Sequence, residues 1–111
     1  MLPLKNYLTI RIVMYTPLYH RFFKKDIDRD KKSGKFSTED FTALKKIMLA
    51  LLNDEALHEK HQNYSLKGEW DGAYECHIKN DWLLIYECNA DTNALTFVRL
   101  GFHAQLFKKF K

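Results

Sequence analysis

Apolar residues recur along the chain with two periods, and each period predicts an element. From Leu8 to Tyr15 they alternate, with Leu8, Ile10, Ile12 and Met14 on one side and Thr9, Arg11, Val13 and Tyr15 on the other. Alternation of this kind predicts a β-strand. Thr16-Pro17 then has the form of a helix N-cap followed by proline at the first helical position. A basic helix over Leu18–Lys32 is expected to follow, ending near Gly34, because glycine readily takes the left-handed conformation that closes helices. Ser37 and Asp40 form an aspartate version of the capping box. Behind them Phe41, Leu44, Ile47, Met48, Leu51 and Leu52 recur at helical spacing, which predicts a second helix ending near Asn53 or Asp54. The two helices are read as a hairpin with one apolar face.

Beyond a polar link, three strands are predicted, at about Ala73–Lys79, Trp82–Cys88 and Ala94–Leu100, with Asn80-Asp81 as a two-residue turn. The order strand, two helices, strands gives an α+β class with an antiparallel β-meander packed on the helices. Counting outward from the turn pairs 79 with 82, 78 with 83, 77 with 84 and 76 with 85. Paired residues share a face, so Cys76, Ile78, Leu83 and Ile85 are expected toward the helices. Glu75, His77, Trp82, Leu84 and Tyr86 are then expected on the opposite face. Residues 1–7 read as an N-terminal extension and 8–111 as a single domain.

Composition narrows the partners more than the fold. A net charge of +4 favours anionic partners such as RNA or an acidic protein tail. The two cysteines, Cys76 and Cys88, form neither a disulfide framework nor a C-x-x-C motif. A zinc site built from Cys76, His77, Cys88 and His103 is disfavoured, because adjacent strand residues point to opposite faces. DIDRDKKSGKFSTED has the outline of an EF-hand loop. With Gly34 at its sixth position, however, Arg29 and Lys31 fall on ligand positions, where cations repel calcium. No apolar run reaches the length of a membrane span and no cleavage site follows the first apolar residues, so a reduced, cytoplasmic protein is expected.

The candidate chemistry lies at the strand ends. His77 and Asp81 precede the apolar strand, and Gly101-Phe102-His103 follows the last one. Three titratable groups so placed can converge. Cleavage of RNA by its own 2′-hydroxyl needs a base, an acid and positive charge around the phosphate. Histidine suits both proton transfers, since its ordinary pKa of about 6.5 lies near neutral pH. Lysine and arginine stabilise the phosphorane, and aromatic rings stack on splayed bases.

Two longer segments, YSLKGEWDGAYECHIKNDWLLIYE and LTFVRLGFHAQLF, combine these features. They contain a Ser-Leu-x-Gly turn, a histidine strand, an Asp-Trp pair leading an aliphatic strand, and a closing Arg-x-Gly-x-His-x-x-Leu-Phe. In this combination the chain resembles the YafQ branch of the RelE-like toxins, ribosome-dependent mRNA endonucleases of type II toxin–antitoxin systems. The part from Ile10 to Asn53 fits the same layout. The resemblance implies a small RelE-like fold and a metal-independent endoribonuclease without cofactor. Its catalytic positions fall on His103, Asp81, His77 and Tyr64, and its RNA-binding positions on Trp82, Arg99, Phe107 and Lys67. It also implies an acidic antitoxin with a ribbon-helix-helix DNA-binding end, and contact with ribosome and mRNA. Operator DNA would be reached only through the antitoxin, and no membrane is involved. The basic helix and the tail FKKFK are expected to hold ribosomal RNA.

One position departs from the pattern. Asn63-Tyr64-Ser65-Leu66 stands where the family commonly has Asp-His-Pro-Leu, so Tyr64 takes the place of the first active-site histidine. With an ordinary pKa near 10, tyrosine is a poor base but a usable acid or hydrogen-bond donor. His61, three residues earlier, is an alternative. The competing reading is a weakened or inactive toxin-like module that serves as antitoxin partner and transcriptional co-repressor.

Overall fold

A computed structural model describes residues 14–107. Its centre is one five-stranded sheet of β1 (Thr16–Tyr19), β2 (Tyr64–Ser65), β3 (Ala73–Lys79), β4 (Trp82–Asn89) and β5 (Ala94–Phe102), in the order β1-β5-β4-β3-β2. β3, β4 and β5 form the expected antiparallel meander, β2 extends it antiparallel, and β1 pairs parallel with β5. Helices α1 (Arg21–Ser33) and α2 (Thr38–Leu52) cover one face, and a short helix α3 (His103–Leu106) follows β5. The fold is α+β, as the alternation of periods predicts.

The helix signals that rest on backbone chemistry hold. Gly34 closes α1 with φ 75°, and Ser37 with Asp40 makes a full capping box at the start of α2. Leu44, Ile47, Leu51 and Leu52 are buried, with Phe41 and Met48 packed beside them. The entry to α1 differs from expectation. Thr16 and Pro17 are not a helix start but the first residues of β1, paired with Ala94 and Leu95. Proline is accommodated because β1 is an edge strand. The cap is His20, whose Nδ1 accepts from the Phe22 N–H at 3.1 Å, and the helix begins three residues later than predicted. Residues 8–13 of the strand expected at Leu8–Tyr15 lie outside the described residues, and Met14 and Tyr15 precede β1.

The register of β3 against β4 also differs. Lys79 pairs with Trp82 as predicted, but the next pair is His77 with Leu83, so β3 carries an extra residue at Ile78. A bulge of one residue exchanges the faces of the pairs beyond it. Cys76, Ile78, Trp82, Leu84 and Tyr86 therefore meet the helices, whereas Leu83 and Ile85 pack on the far face with Ala73 and Leu106. The expected assignment of Leu83, Ile85, Trp82, Leu84 and Tyr86 is reversed. Those of Cys76, Ile78 and His77 stand.

β1 stops at Tyr19 and leaves the far half of β5 without a strand partner on its outer edge. Side chains of α1 close that edge. Asp26 Oδ2 accepts from the Leu100 N–H at 2.9 Å, and Arg29 Nη2 donates to the Leu100 carbonyl at 2.7 Å. The two polar groups that a missing strand would have paired are thus satisfied. The segment that outlines an EF-hand loop is helical through Ser33, and Asp30 points into the protein.

Candidate active site

The site is assembled on the sheet face away from α1 and α2. Two cross-strand rows build it. Tyr64, Glu75, Ile85 and Arg99 are successive partners across β2, β3, β4 and β5, and His77, Leu83 and Gly101 form the next row. Partners share a face at spacings of about 4.8 Å, so His77 and Gly101 stand roughly 10 Å apart with Leu83 between.

Gly101 sets where His103 goes. A Cβ there would lie 2.8 Å from Gln105 Oε1, 3.0 Å from Arg29 Nη2 and 3.2 Å from Leu106 Cδ2. A larger residue there would have to push aside the ends of the Gln105, Arg29 and Leu106 side chains that hold α3 against β5. Gln105 Oε1 then accepts from the Phe102 N–H at 2.7 Å and holds the reversal. The reversal brings His103 to the β3–β4 turn, where Asn80 takes φ 43°. Asp81 Oδ2 accepts from the His103 N–H at 3.2 Å, and Asp81 Oδ1 lies 3.8 Å from His103 Nδ1. Both side chains are more than half exposed, at 54% and 55%. The Phe107 ring meets His103 edge-on at 4.9 Å and Trp70 at 5.7 Å, forming an aromatic wall beside the pair.

On β3 the arrangement is drier. His77 Nδ1 faces the Asn80 carbonyl at 3.0 Å, and its Nε2 faces Glu75 Oε2 at 3.4 Å. Both ring nitrogens thus face protein oxygens, which fixes the ring in place. Glu75 is buried at 6% exposure, and sequence reasoning did not single it out. The available signal was a carboxylate two residues from His77 on the same strand face. His61 Nδ1 contacts the His77 carbonyl at 2.7 Å, closing the edge of β3 beyond the end of β2. Tyr64 stands across from Glu75 with its side chain exposed. Lys67 is exposed just before the 3-10 turn Gly68–Trp70.

Two predicted RNA-contacting residues have other partners. Trp82 is fully buried on the helix side, stacked on Phe36 at 4.1 Å, and its Nε1 donates to Asp30 Oδ2 at 2.8 Å. The expectation that Trp82 contacts RNA is therefore corrected: its ring fills the core and its polar atom anchors α1. Arg99 donates from Nε and Nη2 to the two oxygens of Asp26, at 2.7 and 3.1 Å. Asp26 and Asp30 are both 4% exposed, and Arg29 bonds to each, at 2.9 Å in both cases. Burial works against the Arg29 charge, but Asp30 and Asp26 outweigh it and raise its pKa above the ordinary value. The network welds α1 to β5 and fixes the guanidinium of Arg99 at the rim of the site.

A small α+β protein of this topology, with an exposed carboxylate–histidine pair, a half-buried histidine on a buried glutamate and a fixed arginine on one sheet face, has known relatives. The profile of the family described as "Bacterial toxin of type II toxin-antitoxin system, YafQ" matches residues 15–108. The mRNA interferase toxin YafQ of Escherichia coli K12 is 33% identical over 90 residues, 80% of this chain and 91% of that protein. The crystal structure of a metal-bound toxin from Helicobacter pylori superposes with a TM-score of 0.76 at 35% identity, covering 85% of this chain and 100% of that one. The YafQ chain of the E. coli DinJ-YafQ complex gives a TM-score of 0.73 at 32% identity, covering 84% and 98%. The chain belongs to the YafQ family of type II toxin–antitoxin toxins. Among the described residues no three His, Cys, Asp or Glu side chains converge as a metal cage, and no helix is long and apolar enough to cross a membrane.

Proposed function

We propose that this toxin is a ribosome-dependent mRNA endonuclease that cleaves by attack of the substrate's own 2′-hydroxyl. The observation that carries the reading is the exposed contact of Asp81 with His103 beside the Phe107–Trp70 wall. In this mechanism the 2′-oxygen attacks phosphorus, the bond to the 5′-oxygen breaks, and a 2′,3′-cyclic phosphate and a 5′-hydroxyl result. One proton leaves the 2′-hydroxyl and one is delivered to the departing 5′-oxygen. His103 makes one transfer, and Asp81 or Tyr64 the other. His77, held by Glu75 and Asn80, and Arg99, held by Asp26, orient and stabilise the phosphate. Phe107 stacks on the RNA and Lys67 meets its backbone. The nucleophile is the substrate's own hydroxyl, so the step calls for no metal or cofactor.

The E. coli relative was crystallised in complex with DinJ, which supports a cognate antitoxin here too. On this reading the antitoxin is acidic, carries the ribbon-helix-helix that reaches operator DNA, and acts in the cytoplasm. One observation favours the second reading, a weakened or inactive partner and co-repressor. The phenol of Tyr64 is exposed at the position where the family's first histidine belongs.

Wild type and His103→Ala are to be compared on ribosome-bound mRNA and for growth inhibition on induction. Wild type should cleave, and the variant should lose roughly 10²-fold or more of its rate. A variant that cleaves and inhibits like wild type overturns the role of His103.

A further inference from the structure

Phe22 and Phe23 are adjacent but have opposite fates. Phe23 is 3% exposed and fills the helix–sheet core, whereas Phe22 is 43% exposed at the first turn of α1. The Phe22 ring is not bare. The Arg21 guanidinium carbon lies 5.2 Å from its centroid, that of Arg99 lies 5.7 Å away, and the His20 ring is tilted against it at 5.0 Å. Arg99 cannot swing freely, because Asp26, one helical turn after Phe22, holds its Nε and Nη2. Its Nη1 has no partner among the described residues. The outcome is a half-exposed ring with two guanidiniums over it, that of Arg99 held rigidly and that of exposed Arg21 without a hydrogen-bond partner among the described residues.

We propose that Phe22, flanked by Arg21 and Arg99, is a stacking platform for one base of a single-stranded RNA. A base reaches this ring by taking the place of the unanchored Arg21 guanidinium, which then meets an adjoining phosphate together with Arg99, the arrangement an unstacked nucleotide recognises. Charge favours RNA over an acidic peptide only jointly with position. Arg99 belongs to the row that carries Tyr64 and Glu75, and it precedes His103 by four residues, roughly 13 Å along a strand. A base on Phe22 therefore belongs to a nucleotide flanking the scissile one, and the platform would help choose where the message is cut. The inference rests on the RNA-cleaving reading only through that continuity.

The test uses the full chain and a single-stranded hexanucleotide made 2′-O-methyl throughout, which cannot be cleaved through a 2′-hydroxyl. Its affinity is measured by fluorescence anisotropy for wild type, Phe22→Ala and Phe22→Trp, with an abasic oligonucleotide of the same length as control. Phe22→Ala should bind about tenfold more weakly, Phe22→Trp at least as tightly as wild type, and the difference should vanish on the abasic strand. Equal binding by wild type and Phe22→Ala overturns the proposal. So does a Phe22→Trp as weak as Phe22→Ala, a loss that persists on the abasic strand, or no binding by wild type. Loss of binding to the purified antitoxin, with RNA binding intact, also overturns it and assigns Phe22 to a protein contact. Phe22-dependent RNA binding by a protein that cuts no ribosome-bound mRNA would sink the nuclease reading and leave the platform standing.

Discussion

If this chain is the nuclease proposed, Tyr64 is the residue on which its strength as an enzyme should turn. It lies on the two-residue edge strand β2, across from buried Glu75 and on the same face as His77. A phenol there can donate a proton but is a poor acceptor of one at neutral pH. Tyr64→His should therefore raise the cleavage rate on ribosome-bound mRNA, by about 10²-fold if the position makes a proton transfer. An unchanged rate would mean that Asp81 and His103 suffice. The clustering of the candidate residues was largely legible, since His77, Asp81, Tyr64, His103 and Phe107 all lie on or beside one sheet face. Trp82 was misjudged because an aromatic beside an acidic turn residue reads the same whether it faces solvent or core. Its partner Asp30 is 52 positions away. Nothing local in the sequence links the two.

At the scale of elements, the signals that held are those written in adjacent residues. Ser37 Oγ accepts from the Asp40 N–H at 3.1 Å and Asp40 Oδ2 accepts from the Ser37 N–H at 2.8 Å, a reciprocal pair visible as spacing alone. Lys79 reaches the same carboxylate at 3.1 Å, and these bonds, led by the one from Ser37, hold the Asp40 pKa below its ordinary value. Ser37→Ala should cost about 1 kcal/mol in stability, read from the urea midpoint, with the catalytic rate per folded molecule unchanged. A neutral result would show that Asp40 and Lys79 hold the helix start without the hydroxyl. The start of α1 failed as a sequence reading because Thr-Pro suits both a helix entry and an edge strand, and only pairing with β5 selects between them. The bulge at Ile78 left no local mark either, and a one-residue slip there turned Leu83 and Ile85 away from the helices.

For the molecule as a whole, α1 is held to the sheet by charge as well as by packing. Asp26 and Asp30 are the most enclosed charged side chains described, and each meets an arginine. The apolar core also titrates, on its alkaline side. Burial pushes the Cys76 thiol from 9.0 up to about 12, with the Glu75 charge adding to it. Burial likewise pushes the Tyr86 phenol from 10.0 up to about 12, partly offset by its bond to Asn63. Both groups keep their protons when folded and lose them more readily when unfolded, so unfolding releases protons at high pH. Stability should be flat at neutral pH and fall as pH rises above about 9 toward 12. Urea midpoints at intervals across that range check it. Cys76→Ala should show a shallower decline, whatever its absolute stability, and an identical slope would assign the effect elsewhere.

In the proposed reaction the Asp81–His103 face drives attack by the substrate's own 2′-hydroxyl. It is tested most directly by presenting the toxin with ribosome-bound mRNA that carries one 2′-deoxynucleotide immediately 5′ to the mapped cleavage position. The all-ribose message should be cut to a 2′,3′-cyclic phosphate and a 5′-hydroxyl, with no cleavage at the deoxy position. Cleavage that continues at the deoxy position, or products bearing a 5′-phosphate, would contradict it.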